Sequence, residues 1–344
     1  MSEIDLAPYE VLAKEILKRV LSDEDVEELR QWLQEAIIKL GGSADESAVM
    51  TLKESIPFTE KMIEDYERLA KIPKKDRKIL DFPWGTWNKL IDPLEPGIMI
   101  TITAPDGQGK GIVAESITEH WAENKNKVAY VHYELNKNIM MQRRTARHAY
   151  VPVKAMKAGN LYPEEKQRIY EAHKNIDTWD GNIYYVHTPG WTIDRTIDEL
   201  RKIQTTSGLD AVVIDYLEKI APSMRQRKIY GTNTYQREAD SVEQLKNFAE
   251  STGIPVLMVT QMNKQGKKAE WNERTSTDMS GTAEKSNKSN IVVLLDRKRV
   301  DGCYSDEVTV IVDKNTMGGT GTFKQTMVPQ FFKLEDTDEI HEVR

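Results

Sequence analysis

Residues 104–111 have the composition of a phosphate-binding loop, because they carry glycine at positions 107, 109 and 111 and a lysine at position 110. Such a loop binds through backbone N–H groups at a helix N-terminus, and its lysine neutralises the outer phosphates. A glycine-rich turn that binds nothing is the alternative. The residues predicted to form the site are Ala104, Pro105, Asp106, Gly107, Gln108, Gly109, Lys110, Gly111 and Ile112.

The surroundings of this loop favour the phosphate-binding interpretation. An apolar run at residues 98–103 precedes it and a helix-forming run begins at residue 112, which gives the required order of strand, loop and helix. The residue after Lys110 is Gly111, where such loops carry a serine or threonine whose hydroxyl holds magnesium. The sequence therefore predicts an intact phosphate cradle that lacks one metal ligand.

Asp215, Glu134 and Gln261 each come directly after an apolar run that reads as a buried strand. Ligands bind at the carboxyl ends of parallel strands. We therefore predict that Asp215 holds a magnesium ion, that Glu134 orients or deprotonates the attacking water, and that Gln261 hydrogen-bonds a γ-phosphate or that water. Each residue alone also fits a solvated strand end, and their succession along the chain favours one shared site.

The elements that must position these side chains follow an alternating pattern from about residue 78, which predicts an α/β fold with a mainly parallel sheet and helices on both faces. We assign residues 78–344 to this domain and residues 1–77 to a small helical region. The predicted strands are 99–103, 128–133, 183–187, 211–214, 256–260, 291–296 and 308–312. The predicted helices are 57–70, 112–123, 138–149, 163–175, 193–205 and 236–251, and the polar stretches 222–234 and 264–287 are predicted loops.

The composition, with 344 residues, 39% hydrophobic and 30% charged, is that of a soluble globular chain with one sizeable core. No run of about 18 apolar residues and no basic, apolar leader occurs, so we expect neither a membrane span, a membrane partner nor a signal peptide. The single cysteine, Cys303, fits a reducing cytoplasm. A net charge of -7 argues against a wholly basic nucleic-acid coat, so local basic segments must decide that question.

Several ordered segments, within residues 82–334, resemble the C-terminal motor domain of DnaB-family replicative helicases, a branch of the RecA-like ATPases. Residues 96–104 are similar to the family's approach to its phosphate loop, which commonly begins with alanine. Residues 214–217, Ile-Asp-Tyr-Leu, resemble its Walker B signature. Residues 133–136 match the place of its catalytic glutamate, and residues 245–263 resemble the helix and strand that lead to its glutamine sensor.

Single-stranded DNA is the partner that this resemblance implies. Residues 280–284 resemble the loop that holds DNA phosphates in the central channel of the family's ring. The basic stretches 224–230 and 264–268 would face the same pore, where lysine and arginine pair with phosphates. A solvated basic surface is the alternative. The residues assigned to DNA binding are Arg225, Arg227, Lys228, Lys264, Lys267, Ser280, Gly281 and Thr282.

The resemblance also implies a catalytic contribution from a neighbouring subunit. Residues 312–322 match the terminal segment that reaches into the neighbour's ATP site, but Thr316 stands where the family has its arginine finger. An arginine finger is worth several powers of ten in rate. Lys314 is the predicted partial substitute. A second option is that Arg297, Lys298 or Arg299 reaches across instead.

The activity implied is that of an ATP- and Mg²⁺-dependent DNA helicase, which translocates on single-stranded DNA during replication in a bacterial, phage or viral setting. We expect a homo-oligomeric ring, a hexamer, with a primase or a loader as candidate partners. Two alternatives stay open. One is a RecA-like recombinase or circadian-clock-type ATPase, and the other is a nucleotide-dependent, non-catalytic scaffold with weak ATPase, which Gly111 and Thr316 favour.

The helix at residues 57–70 is predicted to dock on the adjacent subunit, as the linker helix of the resembled family does. Deletion of residues 1–75 should therefore weaken or abolish ring assembly, because the apolar face that reaches the neighbour is lost. Light scattering of the full chain and the deletion variant at equal concentration measures this. A ring that assembles unchanged would contradict the prediction.

Overall fold

The structure is a computed structural model that describes residues 51–73, 76–133, 136–262, 283–337 and 342–343, together with positions 14–16, 18, 19, 29 and 32. The chain divides into two compact units, Met1–Ile72 and Pro73–Arg344. In the first unit, helix α1 (Leu52–Lys71) includes Pro57 and begins earlier than the sequence pattern predicts. It exposes large apolar side chains, among them Leu52, Phe58 and Tyr66.

A 10-stranded sheet forms the centre of the second unit. Its strands, with a separate two-stranded hairpin of β7 and β8, are β1 (Met99–Ala104), β2 (Lys127–His132), β3 (Asn182–His187), β4 (Ala211–Asp215), β5 (Val256–Gln261), β6 (Ile291–Asp296), β7 (Arg299–Val300), β8 (Cys303–Tyr304), β9 (Glu307–Asn315), β10 (Gly321–Val328), β11 (Lys333–Asp336) and β12 (Glu342–Val343). The strand order is β11-β10-β9-β6-β1-β5-β4-β2-β3, with β12 paired to β10.

The strands from β6 to β3 in this order are parallel to one another, whereas β9, β10, β11 and β12 are antiparallel additions at one side. The predicted mainly parallel sheet is therefore confirmed. The helices of the second unit, among the described residues, are α2 (Lys110–Glu123), α3 (Lys137–Ala149), α4 (Val153–Ala158), α5 (Pro163–Asp177), α6 (Ile193–Ser207), α7 (Met224–Tyr230), α8 (Thr234–Thr252) and α9 (Ala283–Lys288).

Both faces of the sheet are covered, as the alternation of side chains along β1 shows. Ile100 and Ile102 pack in one apolar cluster with residues of α2, such as Ile117. Met99 points to the other face, where the cluster includes Leu200 of α6 and Leu245 of α8. All six residues of β1 are buried, which is the pattern of a central parallel strand.

The antiparallel strands are anchored by the tryptophans that precede β1. The indole N–H of Trp84 donates to the Leu334 carbonyl at 2.7 Å, and that of Trp87 donates to Gln325 Oε1 at 2.9 Å. Both tryptophans are buried. Their role is thus to join the segment before β1 to β10 and β11, since a buried indole N–H needs an acceptor.

Two sequence expectations are corrected by the structure. The stretch 222–234, predicted as a loop, contains α7, which begins with a capping box in which Ser223 and Gln226 satisfy each other's backbone N–H groups. The strands β10 and β11 were not predicted, and Cys303 consequently lies in the β7–β8 hairpin and not between the last two strands. None of the helices in the described ranges combines the length and apolar character that crossing a bilayer requires.

Gly181 provides a test of how tightly α2 and β3 are joined. A Cβ atom added at this residue would overlap the backbone carbonyl oxygens of Ala122 and Asn126. We predict that Gly181→Ala lowers the free energy of unfolding by about 1–3 kcal/mol, because backbone cannot rotate away as a side chain can. Chemical denaturation measures the change.

The matched control is Gly85→Ala, whose added Cβ would lie no closer than 3.5 Å to another atom, Asp336 Oδ2. This variant should stay within about 0.5 kcal/mol of the wild type. Equal losses in the two variants would mean that the contact at Gly181 is not the cause.

Candidate functional site

A cavity of about 510 Å³ lies at the carboxyl edge of the parallel strands, and its walls include Lys110, Asp215 and Gln261. The strand register explains this convergence. Ala104, the last residue of β1, is opposite Gln261 on β5, and Asp215 on β4 is opposite His132 on β2. The volume lies within the range of roughly 300–1,000 Å³ that small-molecule sites occupy.

The glycines of the phosphate loop have conformations that other residues rarely adopt. Gly107 has a φ of 77° and Gly109 a φ of 98°. A Cβ at Gly109 would also overlap the side chain of Met327 from β10. Helix α2 begins at the next residue, Lys110, so its first N–H groups lie beside the cavity. This part of the loop is a cradle that only glycine fits, and it suits the close approach of a phosphate.

Lys110 holds its ammonium group at the mouth of the loop. The Nζ atom donates to the carbonyl oxygens of Ala104 at 2.7 Å and Pro105 at 3.0 Å. These acceptors are neutral, and a charged phosphate oxygen is the stronger acceptor for an ammonium donor. The lysine is therefore placed to transfer its hydrogen bonds to a phosphate.

Neighbouring strands hold the loop on its outer side. The side-chain oxygen of Gln108 accepts from the Arg297 backbone N–H at 2.7 Å, and the Tyr304 hydroxyl donates to the Asp106 carbonyl at 3.0 Å. Arg297 is buried and donates through Nε to the Ser305 carbonyl, and burial lowers its pKa. Arg297 thus supports its own chain's loop, which corrects the expectation that it reaches across to a neighbour. Lys298 and Arg299 are exposed.

Asp215 receives a hydrogen bond from within the sheet. The Tyr130 hydroxyl on β2 donates to Asp215 Oδ2 at 2.6 Å. Burial and the carboxyl groups of Asp215 and Glu115 raise the pKa of Tyr130 well above its ordinary value, so this hydroxyl stays protonated. A Cβ at Gly111 would lie 3.3 Å from the same oxygen of Asp215.

Gln261 is tied to the segment after β4. Its backbone N–H donates to Glu218 Oε1 at 3.1 Å, and Glu218 lies in the 3₁₀ turn Leu217–Lys219. This contact joins the end of β5 to the segment that follows Asp215. A movement at either strand end is therefore passed to the other.

Arg143 and Phe332 form a further wall of the cavity. The Arg143 guanidinium lies 4.9 Å from the centre of the Phe332 ring, and its Nη1 is 3.2 Å from Glu115 Oε1. A cation over an aromatic face is attracted by the ring's quadrupole. The cavity thus has a second positive side chain besides Lys110, one that the ring and the carboxylate hold in position.

Beneath this wall lies a cluster of buried charges between α2 and α3. Arg147 is 2.5 Å from Glu115 Oε2 and 2.9 Å from Glu119 Oε2, and His148 is 3.0 Å from the same Glu119 oxygen. Burial raises the pKa of Glu115 to about 7, against the opposing effect of Arg147 and Arg143.

Glu119 shares the Arg147 partner, yet its pKa is lowered. Burial would raise the pKa of this carboxyl too, but Arg147 and the hydrogen bond from His148 outweigh it. Glu115 lacks the histidine and instead has negative neighbours in Glu119 and Asp215. The two carboxyls therefore share one guanidinium unequally, and Glu119 is the more ionised of the pair.

The structure brings together the predicted phosphate loop, Asp215 and Gln261, whereas other predicted residues lie elsewhere. Lys314 on β9 donates to the carbonyls of Ser286 and Asn287, both at 3.0 Å, and does not line this cavity. Arg225, predicted on a loop, lies on α7 and pairs with Asp240 at 2.5 Å. The predicted residues outside the described ranges are Glu134, Lys264, Lys267, Ser280, Gly281 and Thr282.

Four residues at or behind the cavity were missed by the sequence patterns, namely Tyr130, Arg143, Glu115 and Phe332. Tyr130 lies in an apolar run and reads as core. Glu115, however, is an acidic residue within the buried α2 pattern, between Ala114 and Ile117, and a charge on an apolar helix face is a usable signal. Arg143 and Phe332 are too far apart along the chain for any spacing rule to join them.

The residues fit a nucleotide phosphate and a magnesium ion. The glycine cradle and Lys110 suit the phosphate, and the Asp215 carboxylate suits magnesium, which proteins commonly bind through one or two carboxylates plus phosphate oxygens. Within the described ranges, no group of three or more His, Cys, Asp or Glu side chains is arranged to hold a metal by itself. The ion would therefore depend on phosphate oxygens for much of its coordination.

Comparison with known proteins gives a consistent result for the second unit. A family model of the DnaB-like helicase C terminal domain matches residues 84–336. The chain is 21% identical over 321 residues to the replicative DNA helicase DnaC of Bacillus subtilis (strain 168), covering 91% of this chain and 67% of that protein. It is 21% identical over 279 residues to the replicative DNA helicase DnaB of Geobacillus stearothermophilus, covering 79% of this chain and 60% of that protein.

Solved structures show the same fold. An ATPase domain, solved on its own, superposes with a TM-score of 0.69 at 16% identity, covering 82% of this chain and 99% of that one. A DnaB-like replicative helicase, solved with its interactions with primase, superposes with a TM-score of 0.72 at 15% identity, covering 95% of this chain and 75% of that one. The predicted RecA-like fold is therefore confirmed.

The raised pKa of Glu115 predicts a pH-dependent stability. Between the ordinary value of 4.5 and about 7, the folded chain binds more protons at this carboxyl than the unfolded chain, so the free energy of unfolding falls as pH rises. The contribution is complete below pH 4.5 and is lost as pH passes 7. Relative to Glu115→Gln, the wild type should lose ~3 kcal/mol across this window. Denaturant unfolding at several pH values measures it.

Glu119→Gln is the matched control, because Glu119 is buried beside the same Arg147 but has a lowered pKa. Its stabilising contribution is present above pH 4.5 and is lost only at lower pH. The stability difference between this variant and the wild type should therefore stay level from pH 5 to 7. A level difference for Glu115→Gln as well would show that Glu115 is ionised in the folded chain.

Proposed function

We propose that this chain, which belongs to the family of DnaB-like helicase C terminal domains, is an ATP-dependent DNA helicase that forms a ring and translocates on single-stranded DNA during replication. The observation that carries the proposal is the convergence of Lys110, Asp215 and Gln261 on one cavity at the carboxyl edge of the sheet. The chain spans 60–67% of the length of the two replicative helicases compared above. The proposal therefore concerns the motor of such an enzyme.

In this proposal the phosphate loop binds the triphosphate of ATP. Backbone N–H groups at the start of α2 and the Lys110 ammonium hold the outer phosphates, and Asp215 holds Mg²⁺. Magnesium, when bound, neutralises charge that develops on the phosphate oxygens. Arg143, which lines the same cavity, adds a second positive charge near the phosphates.

Glu134 is proposed to accept a proton from the attacking water, since it follows β2, the strand that lies beside β4. Gln261 is proposed to hydrogen-bond the γ-phosphate and to pass its presence or loss to the chain beyond β5. The Glu218 contact to the Gln261 backbone supports this role, because it joins Gln261 to the segment that leads from Asp215 towards α7.

The proposed ring is a hexamer in which nucleotide lies between subunits. Lys314 or the exposed Lys298 and Arg299 would supply positive charge to a neighbour's site in place of the missing arginine at Thr316. The exposed apolar side chains of α1 support a docking role for this helix within the ring. A primase and a loader are proposed partners, in a bacterial, phage or viral cytoplasmic setting.

Single-stranded DNA is proposed to pass through the ring and to contact basic side chains after β4 and β5. Arg227 and Lys228 are exposed on α7. Arg225 is 48% exposed despite its pairing with Asp240, so it can contact phosphate only by sharing or releasing that carboxylate. Lys264, Lys267, Ser280, Gly281 and Thr282 complete the proposed DNA contacts. Binding would be independent of sequence, because phosphates carry no base information.

A second candidate function is a nucleotide-dependent scaffold with weak ATPase activity. Gly111 and Thr316 favour it, since both replace groups that accelerate hydrolysis in phosphate-loop enzymes. A scaffold would bind ATP and assemble, and DNA would not change its rate of phosphate release.

Lys110→Ala tests the motor directly. We predict that single-stranded DNA stimulates phosphate release by the wild-type chain, and that the variant loses this activity by at least about a hundredfold, because a preorganised charge at the phosphates is removed. Phosphate release is measured at saturating ATP and Mg²⁺, with and without DNA.

Lys202→Ala is the control, because Lys202 lies on α6 and pairs at the surface with Glu199 at 3.1 Å. Its rate should match that of the wild type. DNA-independent release that Lys110→Ala leaves unchanged would refute the motor and favour the scaffold.

A further inference from the structure

The metal side of the candidate site has a hydroxyl group where the sequence pattern gives no reason to look for one. Gly111 provides no side chain at the position where phosphate loops carry a serine or threonine. The Tyr130 hydroxyl, from a different strand, donates to Asp215 Oδ2 at 2.6 Å. A hydroxyl thus reaches the Asp215 carboxylate from β2 instead of from the phosphate loop.

The position of Gly111 relates these two differences. A Cβ atom at Gly111 would lie 3.3 Å from Asp215 Oδ2, the oxygen that accepts from Tyr130. A serine at this position would bring its own hydroxyl within hydrogen-bonding reach of that oxygen. The tyrosine and a serine at 111 would therefore compete for one acceptor, and the wild-type chain has only the tyrosine.

We propose that Tyr130 is the positioning residue of the magnesium site, and that its hydroxyl orients the Asp215 carboxylate in place of a phosphate-loop hydroxyl. The inference rests on the proposed function, in which Asp215 holds Mg²⁺. Gly111 belongs to the same arrangement, because a residue without a side chain leaves Asp215 Oδ2 to the tyrosine.

The surroundings of Tyr130 make it a rigid donor. It is 1% exposed and lies on β2, which is hydrogen-bonded to β3 on one side and β4 on the other. Its ring packs edge-on against Tyr185 at 6.2 Å between centroids. Tyr130 is opposite Val213 on β4, and Asp215 is two residues further along, so the side chains of Tyr130 and Asp215 lie on the same face of the sheet.

A positioning role and a packing role predict different binding data. If Tyr130 only fills the core, its hydroxyl has no particular effect on magnesium. If it orients Asp215, removing the hydroxyl weakens the part of nucleotide affinity that depends on magnesium and leaves the magnesium-free part unchanged. The loop cradle and Lys110, which bind the phosphates, are not altered by the change.

The experiment measures the affinity of the full chain for a fluorescent, non-hydrolysable ATP analogue, once with Mg²⁺ and once with a chelator. The variants are Tyr130→Phe, Gly111→Ser and the double variant. We expect Tyr130→Phe to reduce the gain in affinity that Mg²⁺ provides by roughly tenfold, with the magnesium-free affinity unchanged. Gly111→Ser should add no gain in the wild-type background but should restore the gain in the Tyr130→Phe background, because two residues that share a partner are not additive.

Tyr185→Phe is the matched control, since Tyr185 is a tyrosine in register with Tyr130 on the next strand. It should bind as the wild type does in both conditions. The inference is overturned if Tyr130→Phe leaves the magnesium-dependent gain intact, if it lowers both affinities equally, or if Gly111→Ser gives the same gain in both backgrounds.

The test remains decisive if Tyr130→Phe does not fold. In that case Gly111→Ser in the wild-type background decides, because a clear increase in magnesium-dependent affinity would show that the tyrosine does not hold the oxygen that a serine needs. Failure of the proposed function looks different, since a wild-type chain that binds no analogue in either condition refutes the nucleotide site itself and the inference with it.

Discussion

Parallel hydrogen bonding between β1, β5, β4 and β2 fixes the positions of the groups on which all chemistry at this site depends. Ala104 is held opposite Gln261 and Asp215 opposite His132, so the end of the phosphate loop, the carboxylate and the amide cannot slide past one another. A register slip of one residue would turn each side chain to the other face of the sheet. The geometry of the cavity is therefore a property of the sheet, and the loops supply only its outer walls.

The charges buried behind the cavity have a less obvious purpose than stability. Taking Glu115, Glu119 and Arg147 out of water is expensive, and a buried ion pair often contributes no more stability than apolar residues of equal volume. Their arrangement does, however, hold Arg143 through Glu115, and Arg143 stacks on Phe332 at the cavity wall. We interpret the cluster as a support that fixes a positive side chain beside the phosphates.

Much of the fold and part of the site follow from the sequence, because both depend on local patterns. The buried strands read as apolar runs, and Lys110, Asp215 and Gln261 were found because each comes at the end of such a run. The contact from Tyr130 to Asp215 was not predictable, since a tyrosine among apolar residues reads as core. Strand β10 escaped prediction because it alternates polar and apolar residues beside glycine. Helix α7 escaped because its basic, polar composition resembles a loop.

The central claim is that the cavity between Lys110 and Asp215 is an ATP site that works within a ring on DNA. A cryo-electron microscopy map of the full chain with a non-hydrolysable ATP analogue, Mg²⁺ and single-stranded DNA tests it most directly. The account predicts triphosphate density against the glycine cradle at Gly109, with DNA in the pore of a closed ring. Nucleotide density elsewhere on the chain, or a ring that excludes DNA in the presence of nucleotide, would contradict it.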